Sequence, residues 1–176
     1  MLSIILVLSF FYGKYLYGTY HFRNGYAKVI RGDINGGIKD YVIAANQLQN
    51  NGKFHFYYGS AFYLKQDYEQ SVDFLKKAAE LTSNPNAFIT LGNSFKELKR
   101  YEEAEQAYKT ASGITPAKLY PRYLLVLLYI EMQEKEKALI MANYIINAEE
   151  KIATTAGRQI KEEMQILVDQ YSKPDV

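Results

Sequence analysis

The chain has 176 residues, which is enough for one domain or for a short array of repeats with a continuous core. Its 21 basic and 19 acidic residues leave a net charge of only +2 without a long run of like charges, which argues against a nucleic-acid partner. The absence of cysteine excludes disulfide frameworks, thiol nucleophiles and zinc–thiolate sites.

The N-terminus carries a mostly apolar run of 11 residues, LSIILVLSFFY, at positions 2–12. A helix needs about 20 such residues to cross a bilayer, and the run lacks the basic start and small-residue cleavage site of a signal peptide. We therefore expect residues 1–17 to be the end of a transmembrane helix that begins upstream, with Tyr12, Tyr15 and Tyr17 as an interfacial belt. The alternatives are a buried helix of a soluble domain and a complete short anchor.

A period of about 34 residues runs through the rest of the chain. Gly25, Gly59 and Gly92 lie 34 and 33 residues apart, and Val126 follows 34 residues later. Twelve residues after each of these four positions the side chain is small: Gly37, Ser71, Ala104 and Ala138. Because a larger side chain at a helix crossing pushes the two axes apart, small residues at this period predict successive pairs of tightly crossing helices.

The helical spacing of apolar residues and the turn residues between the apolar runs predict nine helices. We place them at residues 14–31, 34–49, 53–65, 68–81, 85–97, 101–113, 119–132, 135–148 and 154–171. The last begins at Thr154 or Thr155 as its N-cap and should cover the exposed core face of the preceding helix pair.

Residues 85–118 show the strongest match to a known repeat pattern. The positions that carry it are Phe88, Leu91, Gly92, Phe95, Ala104, Tyr108, Ala111 and Pro116. In this spacing the chain resembles the tetratricopeptide repeat (TPR) family. The resemblance implies an all-α fold, a right-handed α-solenoid of antiparallel helix pairs with a C-terminal capping helix.

The same resemblance divides the chain into six segments. They are an apolar N-terminal segment at 1–17, a degenerate helix pair at 18–51, repeats at 52–84 and 85–118, a repeat-like pair at 119–152, and a capping helix with a tail at 153–176. Three positions depart from the family pattern: Ser71 replaces an alanine, Val126 a glycine and Glu150 a proline.

No set of residues with catalytic spacing is visible in the sequence. His21 and His55 are 34 residues apart and occupy equivalent positions of successive pairs, which favours packing roles without a carboxylate partner. The glycine-rich stretch at 32–37 follows no strand and lacks the lysine of a phosphate-binding loop. We therefore predict no catalytic residue, no cofactor and no metal, so that this chain is not by itself an enzyme.

In the family that the chain resembles, the first helix of each pair lines a concave groove that binds peptides. The implied groove residues are Phe22, Tyr26, Phe56, Ser60, Tyr63, Ile89, Asn93, Lys96, Tyr123 and Leu127. This aromatic lining suits an apolar helix, an extended peptide or a sugar ring. Only Asn93 and Lys96 fit the capture of a chaperone's C-terminal carboxylate, which needs several converging cations, so that partner is disfavoured. Alternatively, the aromatic residues pack against a loop, the N-terminal segment or a second copy of the chain.

A narrower resemblance involves the order of several segments. An apolar start followed by NNGKFHFYYGSAFY, KLYPRYLLVLLY and TTAGRQIKEEM resembles the C-terminal TPR region of Bacteroides-type O-antigen ligase or polymerase membrane proteins. This implies a non-catalytic, membrane-tethered interaction module of a surface-polysaccharide assembly protein, with a protein or a glycan as its partner. The alternative is a free-standing soluble or anchored TPR adaptor that binds an apolar peptide or helix.

This narrower resemblance implies association with a bacterial inner membrane. Lys14, Arg23, Lys28 and Arg31 lie near the apolar segment and favour the cytoplasm by the positive-inside rule. Glycan ligation, which the resemblance implies, takes place on the periplasmic side, and we expect the repeats there. The sequence leaves open the identity of the partner, the oligomeric state and whether the chain continues upstream of Met1.

Overall fold

A computed structural model describes residues 2–149 and 154–171. These residues form nine α-helices and no strand, so the predicted all-α class is confirmed. The helices are α1 (Leu2–Ile30), α2 (Ile34–Ala44), α3 (Gly52–Leu64), α4 (Tyr68–Leu81), α5 (Pro85–Glu97), α6 (Tyr101–Ile114), α7 (Tyr120–Glu131), α8 (Lys135–Asn147) and α9 (Thr155–Tyr171). The chain divides into two compact units: unit 1 is Met1–Ser83, with α1 to α4, and unit 2 is Asn84–Val176, with α5 to α9.

The first helix begins at Leu2 rather than at residue 14 as predicted, and it continues without a break to Ile30. Residues 2–12 contain neither glycine nor proline, and Gly13 lies in an open part of α1 where an added Cβ would meet no atom within 4 Å. The apolar segment and the first helix of unit 1 are therefore one element. Among the described residues, no helix is long and apolar enough to cross a membrane.

The second helix ends at Ala44, five residues earlier than predicted. Residues 45–51 form consecutive turns, in which backbone N–H groups bond three residues back, as from Gln47 to Ala44 at 3.1 Å and from Asn51 to Leu48 at 2.9 Å. Leu48 is only 2% exposed. The turns thus keep an apolar side chain in the core while the chain reverses direction toward α3.

Close crossings between paired helices occur at the glycines that set the period. In unit 1 a Cβ on Gly25 would lie 2.7 Å from the Tyr41 ring, and one on Gly59 would lie 2.7 Å from Leu75. In unit 2 a Cβ on Gly92 would lie 2.5 Å from the Tyr108 ring. A methyl group has no room at these positions, which is the physical origin of the periodic glycine.

The same turn links the two helices of each of the four pairs. One residue there has a positive φ: Gly32 (91°), Gln66 (64°), Lys99 (60°) and Gln133 (61°). The next backbone N–H bonds five residues back, as from Asp67 to Phe62 at 3.0 Å. This is the Schellman arrangement, which satisfies the last carbonyls of a helix.

The two units bury different kinds of side chain. The core of unit 1 is aromatic: Tyr41 and Phe54 are fully buried, and Tyr58 packs against Phe74 with ring centroids 4.0 Å apart. Between α5 and α6 of unit 2 the buried side chains are mostly smaller, since Ala104 and Ala111 are fully buried beside the Tyr108 ring. Small residues therefore dominate the buried contacts between α5 and α6.

The last helix covers the end of unit 2, as predicted for a capping helix. The Thr154 hydroxyl accepts a hydrogen bond from the Gly157 backbone N–H at 2.9 Å, so Thr154 is the N-cap. Met164 is 3% exposed, and α9 packs against α8 and α7. Glu150, where the sequence departs from the repeat pattern, and the tail after Tyr171 lie outside the described residues.

Candidate functional site

Unit 1 contains a small cleft between α1 and α3, which we call the aromatic cleft. It has a volume of about 180 Å³ and is lined by Phe22, Arg23, Tyr26, Lys53 and Tyr57. The Tyr26 and Tyr57 rings meet edge to face with centroids 4.7 Å apart, and the Phe22 and Tyr57 rings lie 5.9 Å apart. Two predicted groove residues, Phe22 and Tyr26, are thus brought together here.

The walls of the aromatic cleft are held by the core and by the start of α3. The Phe22 ring lies 5.8 Å from that of Phe54 and is anchored in the core. The Asn51 side chain accepts a hydrogen bond from the Phe54 backbone N–H at 3.0 Å and caps α3. Lys53 and Tyr57 follow one helical turn apart, and the Lys53 Nζ lies 6.0 Å from the centre of the Tyr57 ring. The aromatic walls of the cleft are therefore positioned by contacts within unit 1.

The electrostatics of the aromatic cleft favour a partly anionic ligand. Burial, followed by the neighbouring Tyr26, raises the pKa of Tyr57, so its hydroxyl is neutral at pH 7. Arg23 and Lys53 are exposed cations, and no described carboxylate lies within salt-bridge distance of either. Aromatic walls with two cations at the rim suit an apolar side chain that lies next to a carboxylate.

The remaining predicted residues of unit 1 do not line the aromatic cleft. Phe56 contacts the Tyr57 ring with centroids 5.1 Å apart, and its carbonyl accepts a hydrogen bond from the Ser60 hydroxyl at 2.8 Å. The Tyr63 ring lies 5.7 Å from that of Tyr68 at the start of α4. The Ser60 hydroxyl and the Tyr63 ring are therefore engaged within the unit.

In unit 2, the polar residues predicted for the groove are already paired. Asn93 Oδ1 accepts a hydrogen bond from the Tyr108 hydroxyl at 2.6 Å. The Lys96 Nζ lies 3.6 Å from carboxylate oxygens of both Glu97 and Glu131. The polar groups of Asn93 and Lys96 are therefore already engaged within unit 2.

The other predicted groove residues of unit 2 differ in how accessible their side chains are to a ligand. Ile89 on α5 is half-buried, whereas Leu127 on α7 is 41% exposed. A hydrogen bond to Glu163 of α9, followed by burial, raises the pKa of Tyr123. Tyr123 thus contacts the capping helix, and only Leu127 presents a largely open apolar side chain.

A second cleft in unit 2 contains no predicted groove residue. It has a volume of about 340 Å³ and lies between the turn before α7 and the start of α9. Its lining is mostly apolar: Ala117, Lys118, Leu119, Tyr120, Thr154, Ala156, Gly157 and Ile160. The arrangement follows from the docking of α9.

The expectation that neither histidine has a carboxylate partner is wrong for His21. Its Nδ1 donates to Asp40 at 2.6 Å, and the Lys28 Nζ donates to the other carboxylate oxygen, also at 2.6 Å. Burial would raise the pKa of Asp40, but the hydrogen bonds from Lys28 and His21 hold it below the usual range. The cluster ties α1 to α2.

His55 is a packing residue, as predicted. It is 5% exposed, and its Nε2 donates to the Gln49 carbonyl at 2.7 Å, which fixes the turn before α3. No group of three or more metal-ligating side chains occurs in the part of the chain that the structure describes.

Sequence reasoning missed three residues of the aromatic cleft: Arg23, Lys53 and Tyr57. The predicted groove used only positions three residues before, and one or four residues after, each of the four periodic positions. Tyr57 lies two residues before Gly59 and therefore on the side of α3 opposite the contact with α4. The spacing of four residues between Lys53 and Tyr57 was the available signal, because it places both on one helix face.

Comparisons with known proteins support this architecture. A family model of the tetratricopeptide repeat matches residues 85–118. Over 69 residues the chain is 35% identical to the protein O-mannosyl-transferase Tmtc3 of Drosophila melanogaster, a match that covers 39% of this chain and 8% of that protein. The likeness therefore concerns a small part of the relative.

Solved structures of low sequence identity share the fold. The crystal structure of MamA protein superposes with a TM-score of 0.68 at 19% identity and covers 90% of this chain and 97% of MamA. The first TPR domain of Spaghetti, bound to an HSP90 peptide, superposes with a TM-score of 0.64 at 16% identity over 67% of this chain and 94% of that domain. With the helix pairs described above, these findings show an α-solenoid fold in which residues 85–118 match a tetratricopeptide repeat.

Proposed function

We propose that this protein is a membrane-tethered interaction module whose aromatic cleft holds an apolar side chain and a neighbouring carboxylate of a protein partner. Tetratricopeptide architecture is that of protein-interaction modules, and one structure of this fold carries a bound peptide. The observation that carries the proposal is the contact of the Tyr26 and Tyr57 rings in a cleft that is also lined by the cations Arg23 and Lys53.

The size of the aromatic cleft limits what it can hold. A volume of about 180 Å³ admits one side chain rather than a whole helix. Tyrosine and arginine are the residue types that dominate binding energy at interfaces, since they combine a large contact area with hydrogen bonding. A short linear segment of the partner is therefore the ligand that fits best.

The tether is the N-terminal part of α1, residues 2–17, which we call the arm. Ten large apolar side chains between residues 4 and 17 are each 48–64% exposed. Since complete burial of such a side chain contributes about 1.5–3 kcal/mol, an arm left in water is unfavourable and an apolar surrounding is favoured. We place the arm in a bacterial inner membrane and the repeats on its periplasmic side.

The narrower proposal is that the chain forms the non-catalytic C-terminal part of an O-antigen ligase or polymerase-type protein. It rests on the resemblance of segments in the sequence, and the apolar arm supports only its membrane component. An open reading frame that continues upstream into several apolar spans would agree with it. A stop codon close upstream of Met1 would instead favour a free-standing, anchored adaptor.

The partner class can be tested by selecting peptides from a random displayed library against the full chain. We expect enriched peptides to share an aromatic or branched aliphatic residue beside Asp or Glu. Tyr26→Ala should weaken their binding about tenfold or more, because the mutation opens one wall of the aromatic cleft.

Tyr144→Ala is the matched control, since it removes an equally large ring that is 54% exposed on α8 in unit 2. Its affinity should equal that of the unmodified chain. The proposed cleft would be contradicted if the enriched peptides lacked an acidic residue and bound Tyr26→Ala and Tyr144→Ala equally well. Retention on polysaccharide without any peptide enrichment would favour a glycan partner instead.

A further inference from the structure

We propose that unit 1 presents, beside the base of the arm, a cationic surface that binds anionic phospholipid headgroups. We call this surface the collar and define it by Lys14, Tyr15, Asn50 and Lys53. The inference rests on the proposed membrane tether and adds a lipid class to it. Three separate observations support it: the position of the α2–α3 loop, the distance of the collar from the apolar run at residues 2–12, and the charge of the segments that carry it.

The fold brings the loop between α2 and α3 to the base of the arm. A Cβ on Gly18 would lie 2.6 Å from the Gln47 side chain, so the loop crosses α1 directly beyond the arm. Tyr15 shares one open cleft of about 460 Å³ with Gln47, Asn50 and Lys53. The collar therefore combines residues that are more than 30 positions apart in the sequence.

The rise of the helix places the collar at headgroup height. Residues 2–12 span about 15 Å at 1.5 Å per residue, which equals half of a hydrocarbon core about 30 Å thick. Tyr15 then lies about 4–5 Å beyond the apolar run, at the level where interfacial tyrosines sit. Lys14 stands one turn after Phe10, with its Nζ 4.6 Å from the Phe10 ring centre.

The segments that carry the collar residues contain basic residues and no acidic one. Residues 1–32 contain four basic residues and no acidic one, and residues 41–66 contain Lys53 and Lys65 and no acidic one. The buried carboxylate of Asp40 is already bound by Lys28 and His21. No exposed carboxylate in these segments repels a phosphate, so the collar complements an anionic bilayer.

The test measures binding of the full chain to two kinds of vesicle, phosphatidylcholine alone and phosphatidylcholine with added phosphatidylglycerol. We expect tighter binding to the anionic vesicles, with a preference that falls as salt is added. A basic residue near an anionic surface contributes about a fivefold gain in binding. Reversing both charges with Lys14→Glu and Lys53→Glu should therefore lower binding to anionic vesicles by at least about 25-fold and leave binding to neutral ones unchanged.

The control combines Lys65→Glu and Lys118→Glu, which make the same change in net charge. Lys65 is twelve residues from Lys53, about 18 Å along and beyond α3, and Lys118 lies in unit 2. Thermal unfolding of both double variants verifies that they are folded. The control should keep most of the preference for anionic vesicles.

Three other outcomes would overturn the inference in distinguishable ways. An equal loss in both double variants would assign the preference to net charge rather than to the collar. If the preference for anionic vesicles were undiminished after Lys14→Glu and Lys53→Glu, the collar would be contradicted and the proposed tether would not. Failure of the unmodified chain to bind either vesicle would overturn the tether and the collar together.

Discussion

At the residue scale, the turn within three of the four helix pairs contains a backbone strain that can be relieved, because a residue other than glycine has a positive φ there. Gln66 has φ of 64° and an exposed side chain. A left-handed conformation costs an L-residue about 1–2 kcal/mol, whereas glycine avoids this cost and loses about 0.5–1 kcal/mol through the entropy of the unfolded chain. Gln66→Gly should therefore raise the free energy of unfolding by about 0.5–1 kcal/mol in chemical denaturation.

The reciprocal substitution serves as the control. Gly32 occupies the equivalent turn with φ of 91° in open surroundings, so Gly32→Gln should lower the free energy of unfolding by a similar amount. A destabilising Gln66→Gly would show that the glutamine side chain matters more than its backbone conformation.

A second residue-scale prediction concerns acid stability. The pKa of Asp40 is lower in the folded chain than the value of about 3.9 for an unperturbed aspartate, so Asp40 contributes stability above about pH 4. That contribution is lost as the pH falls through the folded-state pKa. The difference in unfolding free energy between the unmodified chain and Asp40→Asn should therefore shrink below about pH 4 in denaturation at several pH values. A difference that does not change with pH would show that the carboxylate's charge is irrelevant.

At the element scale, the periodic glycines set how closely paired helices approach. A Cβ on Gly92 would lie 2.5 Å from the buried Tyr108 ring, so Gly92→Ala should lower the free energy of unfolding by about 1–3 kcal/mol through overpacking. Gly113→Ala on α6 is the control, because a Cβ there meets nothing within 4 Å, and alanine favours a helix by up to about 1 kcal/mol. Equal changes in thermal stability for the two substitutions would contradict a tight crossing of α5 and α6 at Gly92.

Helix positions were largely predictable from the sequence, and the two failures have physical causes. The periodicity of apolar residues located α4 and α5 correctly, because each has one buried face. It missed the first twelve residues of α1, whose side chains are apolar all round and give no helical period. The periodicity also extended α2 past Ala44. The turns after Ala44 allow Leu48 to be buried in the core, and the helix propensity of the residues does not reveal such a tertiary contact.

At the scale of the whole molecule, the binding surface was harder to predict than the fold. The repeat register indicated Phe22 and Tyr26, which line the aromatic cleft, because positions relative to Gly25 fix the helix face that they occupy. It could not show that Asn93 pairs with Tyr108 or that Tyr123 pairs with Glu163, because those contacts depend on side chains of other helices. The proposed binding surface therefore lies in unit 1.

The most direct measurement is the affinity of the Tyr26→Ala variant for a peptide from the library that carries an aromatic residue beside Asp or Glu. The unfolding temperature of the variant is measured alongside. Tyr26 is 39% exposed and lies at the mouth of the aromatic cleft. We predict about tenfold weaker binding with little change in the unfolding temperature, while Phe56→Ala and Tyr123→Ala, which lie outside the cleft, leave the affinity unchanged. Unchanged affinity of Tyr26→Ala, or a loss matched by an equal loss of stability, would contradict a binding role for the cleft.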